Sequence, residues 1–114
     1  MLEIPTAIGY LRSDISRSRQ PWDEIQIRSL ARRLGYVLAK TIVFSERTDD
    51  PMQRVIDVVR TIDAEAVVIP GLEHFDGYPP SALLAVADVI TVSPEQTFSR
   101  WVIPPDAPAG MSAR

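Results

Sequence analysis

Short apolar runs alternate with amphipathic segments along this chain, and this alternation constrains the fold more than any other feature. The apolar runs cover residues 6–11, 36–44, 66–69 and 88–92. Runs of this length that end at polar or turn-forming residues predict β-strands, and the least polar of them are typical of strands buried on both faces. The sequence therefore predicts four strands joined by intervening helical segments.

Apolar residues recur at helical spacing in two of the intervening segments. The first stripe runs through Ile27, Leu30, Ala31 and Leu34, and Gly35 follows it at the position of a left-handed C-terminal cap. The second follows Pro51, a residue suited to a first helical turn, and comprises Met52, Val55, Ile56, Val59 and Ile62. Helices are thus predicted over about 22–34 and from 51 onward, and a short one over 81–87.

This element order predicts an α/β fold of three layers, with a mainly parallel sheet of four to five strands and helices on both faces. The expected strand order, 2-1-3-4, places a topological switch point between the first and third strands, where ligands of such sheets bind. The polar loops 12–20 and 71–77 would meet there. Residues 1–94 are predicted to form one domain, and the proline-rich residues 95–114 an extended or disordered tail.

Composition narrows the classes of function. The chain has no cysteine, which excludes disulfides and thiolate chemistry and makes the cytoplasm the expected compartment. No apolar run approaches the roughly 20 residues that span a bilayer, so no membrane association is expected. The formal charge of −3 combines a basic first 40 residues with an acidic remainder, so any contact with nucleic-acid phosphate is expected to be local.

Cofactor and metal motifs are not found in the sequence. The five glycines stand at positions 9, 35, 71, 77 and 110, a spacing that fits neither a dinucleotide-binding nor a Walker motif. With one histidine and no cysteine, an ordinary zinc site is not expected either. The sequence predicts neither a cofactor nor a metal site.

The loop at 12–20 combines three arginines, Arg12, Arg17 and Arg19, with the hydroxyls of Ser13, Ser16 and Ser18. Guanidinium forks and hydroxyl donors are suited to a phosphate or carboxylate, and the following helix would add its positive N-terminal end. The alternative is that these are solvated loop residues that include a helix cap. Both interpretations are consistent with the sequence.

The loop at 71–77 brings Glu73, His74 and Asp76 together. A histidine near carboxylates could act as an acid or base near neutral pH. The alternative expectation is that His74, which stands among turn-forming residues, is merely exposed. The sequence leaves both open.

Three segments resemble the catalytic domain of the serine recombinases, the resolvase/invertase family. Residues 7–12 (AIGYLR), followed by a serine-rich loop, resemble the family's opening strand. Residues 25–30 (IQIRSL) resemble its glutamine-bearing first helix, and residues 67–69 and 72–75 resemble a later strand and the loop that follows it. The resemblance spans about residues 6–92.

The resemblance implies a serine nucleophile that attacks a DNA phosphodiester while arginines neutralise the charge on phosphate. Arg12 and Gln26 match the family, and the nucleophile position falls on Asp14, with Ser13 or Ser16 as alternatives. Three further family arginines align with Asp50, His74 and Gly77, and the family's acidic residue with Glu73. Family members also continue into a long helix where this sequence becomes proline-rich.

We therefore expect a catalytically inactive resolvase-like domain that serves as a binding or regulatory module for an anion or a protein partner. The anion-binding residues would be Arg12, Arg17, Arg19 and Gln26. The alternative is DNA binding or strand exchange with arginines borrowed from a partner. A third expectation is structural: Phe98, Trp101 and Val102 would anchor the tail on its own domain or on a second copy of the chain.

Overall fold

The computed structural model describes residues 3–101, and its centre is a five-stranded sheet. The strands are β1 (Thr6–Arg12), β2 (Val37–Phe44), β3 (Ala66–Ile69), β4 (Asp88–Thr91) and β5 (Gln96–Phe98). Their spatial order is β2-β1-β3-β4-β5, and every neighbouring pair is parallel except β4 and β5. The sheet reverses its winding between β1 and β3, as the sequence predicts.

Helices cover both faces of the sheet, which gives three layers. The helices are α1 (Ser13–Ser16), α2 (Gln20–Arg33), α3 (Pro51–Ile62) and α4 (Ser81–Leu84). Ile27, Leu30 and Ala31 of α2 pack with Ala7 and Leu11 of β1 on one face. On the other face, Val55, Ile56 and Val59 of α3 and Leu83 of α4 pack with Ile8 and Tyr10. Residues of β1 are therefore buried alternately in two separate cores.

Two glycines fix how α2 lies on the sheet. A Cβ atom on Gly9 would stand 2.7 Å from Ile27 Cγ2 and 2.7 Å from Thr41 Oγ1, so only glycine lets the helix approach β1 this closely. Gly35 has φ +90°, and the N–H groups of Gly35 and Tyr36 donate to the carbonyls of Arg32 and Ala31. These bonds form the predicted C-terminal cap, in which the chain reverses toward β2.

The predicted α/β fold class is confirmed, whereas one local prediction is wrong. Residues 12–20 are not an irregular loop: Ser13–Ser16 form α1, Arg17–Arg19 form a 3₁₀ turn, and Pro21 lies in the first turn of α2, where it needs no N–H partner. The sheet also extends past the predicted domain boundary at residue 94, because β5 pairs with β4. Residues 102–114 of the predicted tail, including Val102, lie outside the described residues.

No helix among residues 3–101 is both long enough and apolar enough to cross a lipid bilayer.

Candidate functional site

A cavity of about 420 Å³ opens at the switch point, beyond the carboxyl ends of β1, β3 and β4. Its volume falls within the range of small-molecule sites, about 300 to 1,000 Å³. Segments that follow three different strands contribute to its wall. The lining residues are Ile15, Ser16, Arg19, Trp22, Asp23, Gln26, Pro70, Glu73, His74, Val92 and Ser93.

The segment after β1 builds the first wall around a buried polar pair. Ser16 and Asp23 are 4% and 5% exposed, and the Ser16 hydroxyl donates to Asp23 Oδ2 at 2.6 Å. Asp23 stands in the first turn of α2, so its carboxylate complements the positive end of that helix. The N-terminal end of α2, which the sequence suggests as a binding site for an external anion, therefore already holds a carboxylate of the chain itself.

The segment after β3 builds the second wall and is anchored on β1. Phe75 is buried and stacks on Tyr10, with ring centroids 4.9 Å apart and planes inclined by 15°. This contact holds the 3₁₀ turn Leu72–Phe75 over the end of the sheet and so directs His74 inward. A Cβ atom on Gly71 would collide with the Glu73 carboxylate, so glycine at this position leaves room for that group beside the cavity.

The segment after β4 forms the third wall by extending the ladder between β3 and β4. The N–H groups of Val92 and Ser93 donate to the carbonyls of Ile69 and Pro70, at 2.9 and 3.0 Å. These bonds hold both residues beside Pro70, where they line the cavity. All three walls are thus tied to the rigid sheet.

His74 is the most deeply buried titratable residue of the cavity wall, at 2% exposure. Its Nδ1 atom accepts the backbone N–H of Arg12 at 2.9 Å, so in the neutral ring the proton resides on Nε2. Burial lowers the pKa of His74 most, whereas Glu73 and Asp23 act in the opposite direction. His74 is therefore neutral near pH 7, and the expectation that it is merely exposed is wrong because Phe75 anchors the turn that carries it.

Arg12 lies at the end of β1, where its guanidinium contacts two carboxylates. Its Nη2 atom is 2.6 Å from Asp14 Oδ2, and Nη1 is 3.3 Å from Asp76 Oδ1. The hydrogen bond from Arg12 lowers the pKa of Asp14, and the same bond raises the pKa of Arg12. Arg12 therefore stays charged, while its charge is compensated within the chain.

The other predicted anion-binding residues separate into two groups. Arg17, at φ +53°, turns its Nε atom back to the carbonyl of Asp14 at 3.2 Å and does not line the cavity. Arg19 and Gln26 do line it, and Arg19 Nη2 is 3.7 Å from Asp23 Oδ1. The arginines therefore do not converge on one point in the described structure.

The predicted catalytic and second-loop residues are likewise divided. Ser16, Glu73 and His74 line the cavity, whereas Ser13, Asp14 and Asp76 do not. Sequence reasoning did not identify Trp22 and Asp23 as cavity residues. In the sequence, Asp23 has the position of an ordinary carboxylate in the first turn of a helix. Its hydrogen bond with Ser16, seven positions earlier, is visible only in the structure. Trp22 is 56% exposed, which is unusual for its type.

The cavity is suited to binding a small polar molecule. Its formal charges are those of Arg19, Asp23 and Glu73 beside a neutral His74, and Ile15, Pro70 and Val92 supply apolar wall. Among the described residues, no group of three or more histidine, aspartate or glutamate side chains is placed to hold a metal ion. The arrangement thus offers fixed donors and acceptors in one pocket without a concentration of positive charge.

Comparisons of the chain with protein families, with curated proteins and with solved structures find no match.

Proposed function

We propose that this chain is a serine-recombinase-like domain without phosphoryl-transfer activity that serves as a binding or regulatory module. The proposed ligand site is the switch-point cavity. The absence of cysteine supports the cytoplasm as the proposed compartment. The strand order and the positions of Arg12 and Gln26 at one end of the sheet support the recombinase-like part of the proposal.

The state of Arg12 is the observation that carries this proposal. A phosphoryl-transfer site needs guanidinium groups whose charge is free to meet the phosphate. Here one guanidinium faces Asp14 at 2.6 Å and Asp76 at 3.3 Å. Two carboxylates and one guanidinium carry a net negative charge, so this cluster of three side chains does not attract a phosphate.

The candidate nucleophiles support the same proposal. The Ser16 hydroxyl is buried and its proton is directed at Asp23. Ser13 is partly buried and does not line the cavity, and Asp14 is held by Arg12. Of these three candidates, Ser16 and Asp14 are therefore already engaged within the chain, and Ser13 lies outside the cavity.

A protein partner is a second candidate function, favoured by one surface observation. Trp22 and Ile25 are 56% and 49% exposed and stand three residues apart on α2, which places them on the same side of the helix. Self-association through this surface predicts a dimer that is lost in Ile25→Ser. Sedimentation velocity of the two proteins decides this, and a monomeric wild-type chain contradicts the homodimer form of the proposal.

The primary proposal is tested by releasing Arg12 from its carboxylates. We expect Asp14→Asn/Asp76→Asn to bind a short labelled oligonucleotide about tenfold more tightly than wild type at low salt, because one charge-assisted contact becomes available. Adding Arg12→Ala to this double variant should remove the gain. Arg12→Ala alone should change little, since its charge is already compensated.

The matching catalytic assay uses supercoiled plasmid DNA. The proposal expects no nicking by the wild-type chain. Nicking that disappears in Ser13→Ala or Ser16→Ala would contradict it, as would wild-type oligonucleotide binding that Arg12→Ala alone strongly weakens. Either result would favour the recombinase alternative.

A further inference from the structure

His74 presents a fixed hydrogen-bond donor to the cavity. The side chain is 98% buried, as its 2% exposure shows, and Nδ1 is occupied by the N–H of Arg12. No group of residues 3–101 forms a hydrogen bond with its Nε2 atom. Among the described residues, no fully buried side-chain polar atom lacks a hydrogen-bond partner, so Nε2 is not fully buried. Nε2–H is therefore accessible from the cavity that His74 lines. A ligand that fills this cavity must offer it an acceptor.

Asp23 presents a fixed acceptor in the same cavity. The residue is 5% exposed, and its Oδ2 atom takes the Ser16 proton at 2.6 Å. The Oδ1 atom is 3.7 Å from Arg19 Nη2, too far for a hydrogen bond. An ionised carboxylate has about four acceptor positions, so Asp23 retains capacity for a donor on the ligand.

Trp22 supplies an aromatic surface at the cavity. It lines the cavity and is nevertheless 56% exposed. An indole ring with this exposure can stack on a flat ligand without first breaking a packed core. Ile15, Pro70 and Val92 add apolar contacts around the polar groups.

The charges of the wall discriminate among classes of ligand. A phosphate would meet the carboxylates of Asp23 and Glu73, with Arg19 as the one cation of the lining. A guanidinium or ammonium group would satisfy the carboxylates, but it has no acceptor for His74 Nε2–H. A neutral group that carries both a donor and an acceptor satisfies His74 and Asp23 together.

From these observations we propose that the switch-point cavity binds a neutral planar heterocycle with a hydrogen-bond donor and an acceptor on its edge, as in a nucleobase or nucleoside. The acceptor takes His74 Nε2–H, the donor is directed to Asp23, and the ring stacks on Trp22. The cavity volume of about 420 Å³ accommodates a molecule of this size. This inference rests on the proposed function, because it names the ligand class of the same site.

The test uses the full chain with Trp101→Phe, which leaves Trp22 as the one tryptophan. Adenosine, guanosine, cytidine and uridine are titrated separately, and inorganic phosphate and spermidine serve as probes of the two rejected classes. Binding is followed by Trp22 fluorescence and by the imidazole resonances of His74, the one histidine of the chain. We expect at least one nucleoside to shift both signals with one dissociation constant.

Two variants examine the proposed contacts. Trp22→Ala should weaken nucleoside binding about tenfold, the usual order for loss of a base-stacking aromatic, with His74 as the remaining reporter. His74→Asn should weaken it roughly threefold to tenfold, because one hydrogen bond is lost. Tyr78→Ala is the matched control, since Tyr78 is 77% exposed and does not line the cavity, and it should leave affinity unchanged.

Failure of this inference is distinguishable from failure of the proposed function. If phosphate or spermidine shifts both reporters and no nucleoside does, the ligand class is wrong while the cavity remains a binding site. If no probe shifts either reporter at millimolar concentration, the inference is overturned. The oligonucleotide and plasmid assays judge the loss of phosphoryl transfer independently of either result.

Discussion

At the scale of single residues, the burial of His74 and the carboxylate partners of Arg12 give these two residues chemistry that their types alone do not reveal. His74 is neutral because it is buried and because Nδ1 accepts a backbone N–H. Arg12 is charged but compensated by Asp14 and Asp76. The sequence indicates residues 12–20 and 71–77 as candidate site segments, yet it could not show this pairing, because Asp76 is 64 positions from Arg12 in the chain.

The lowered pKa of His74 predicts a specific pH dependence of stability. Protonation at Nδ1 would abolish the bond from the Arg12 N–H, so the folded chain binds a proton on His74 less readily than the unfolded chain does. Stability is therefore full above the unfolded pKa of about 6.5 and falls as the pH drops below it, until the folded pKa is reached.

Denaturant unfolding between about pH 5 and pH 8 measures this effect. His74→Asn is the control, because its amide oxygen can still accept the Arg12 N–H but does not titrate in this range. As the pH falls, the free energy of unfolding of the wild type should decrease relative to that of His74→Asn. A difference that stays constant across the range contradicts the buried, neutral assignment.

At the scale of elements, the close approach of α2 to β1 positions the first wall of the cavity. Ile27 of α2 packs against the space left by Gly9, and Trp22, Asp23 and Gln26 of the same helix line the cavity. The sequence predicts α2 from its apolar stripe. It does not reveal that Ser13–Ser16 is helical, since that turn has only four residues and depends on Ser16 meeting Asp23 seven positions later.

Gly9→Ala should destabilise the fold by about 1 to 3 kcal/mol, the usual cost of adding a methyl group to a packed core. The added methyl would lie 2.7 Å from Ile27 Cγ2 and 2.7 Å from Thr41 Oγ1, so one of these side chains must move. In a double-mutant cycle with Ile27→Ala, the cost of Gly9→Ala should shrink, because the obstructing methyl is gone. Additive costs would contradict this account of helix placement.

At the scale of the whole molecule, alternation of apolar runs and helical stripes was sufficient to predict the α/β class, the strand order and the switch point. Each of these depends on local periodicity together with general rules of connection. The fifth strand was not placed, because Gln96–Phe98 has three residues and its partly polar pattern resembles a loop. The detailed site depends on contacts between distant segments, of which Phe75 on Tyr10 is one example.

We propose that this fold serves for binding at the cavity and not for chemistry on DNA. The most direct test of this proposal is the anisotropy of a labelled DNA duplex with the wild-type chain across a salt series. An acidic chain whose Arg12 is compensated should bind the duplex weakly and with little dependence on salt, because few counterions are released. Tight binding would contradict the account if the logarithm of its association constant falls steeply with the logarithm of salt concentration. That result would restore the DNA-recombining alternative.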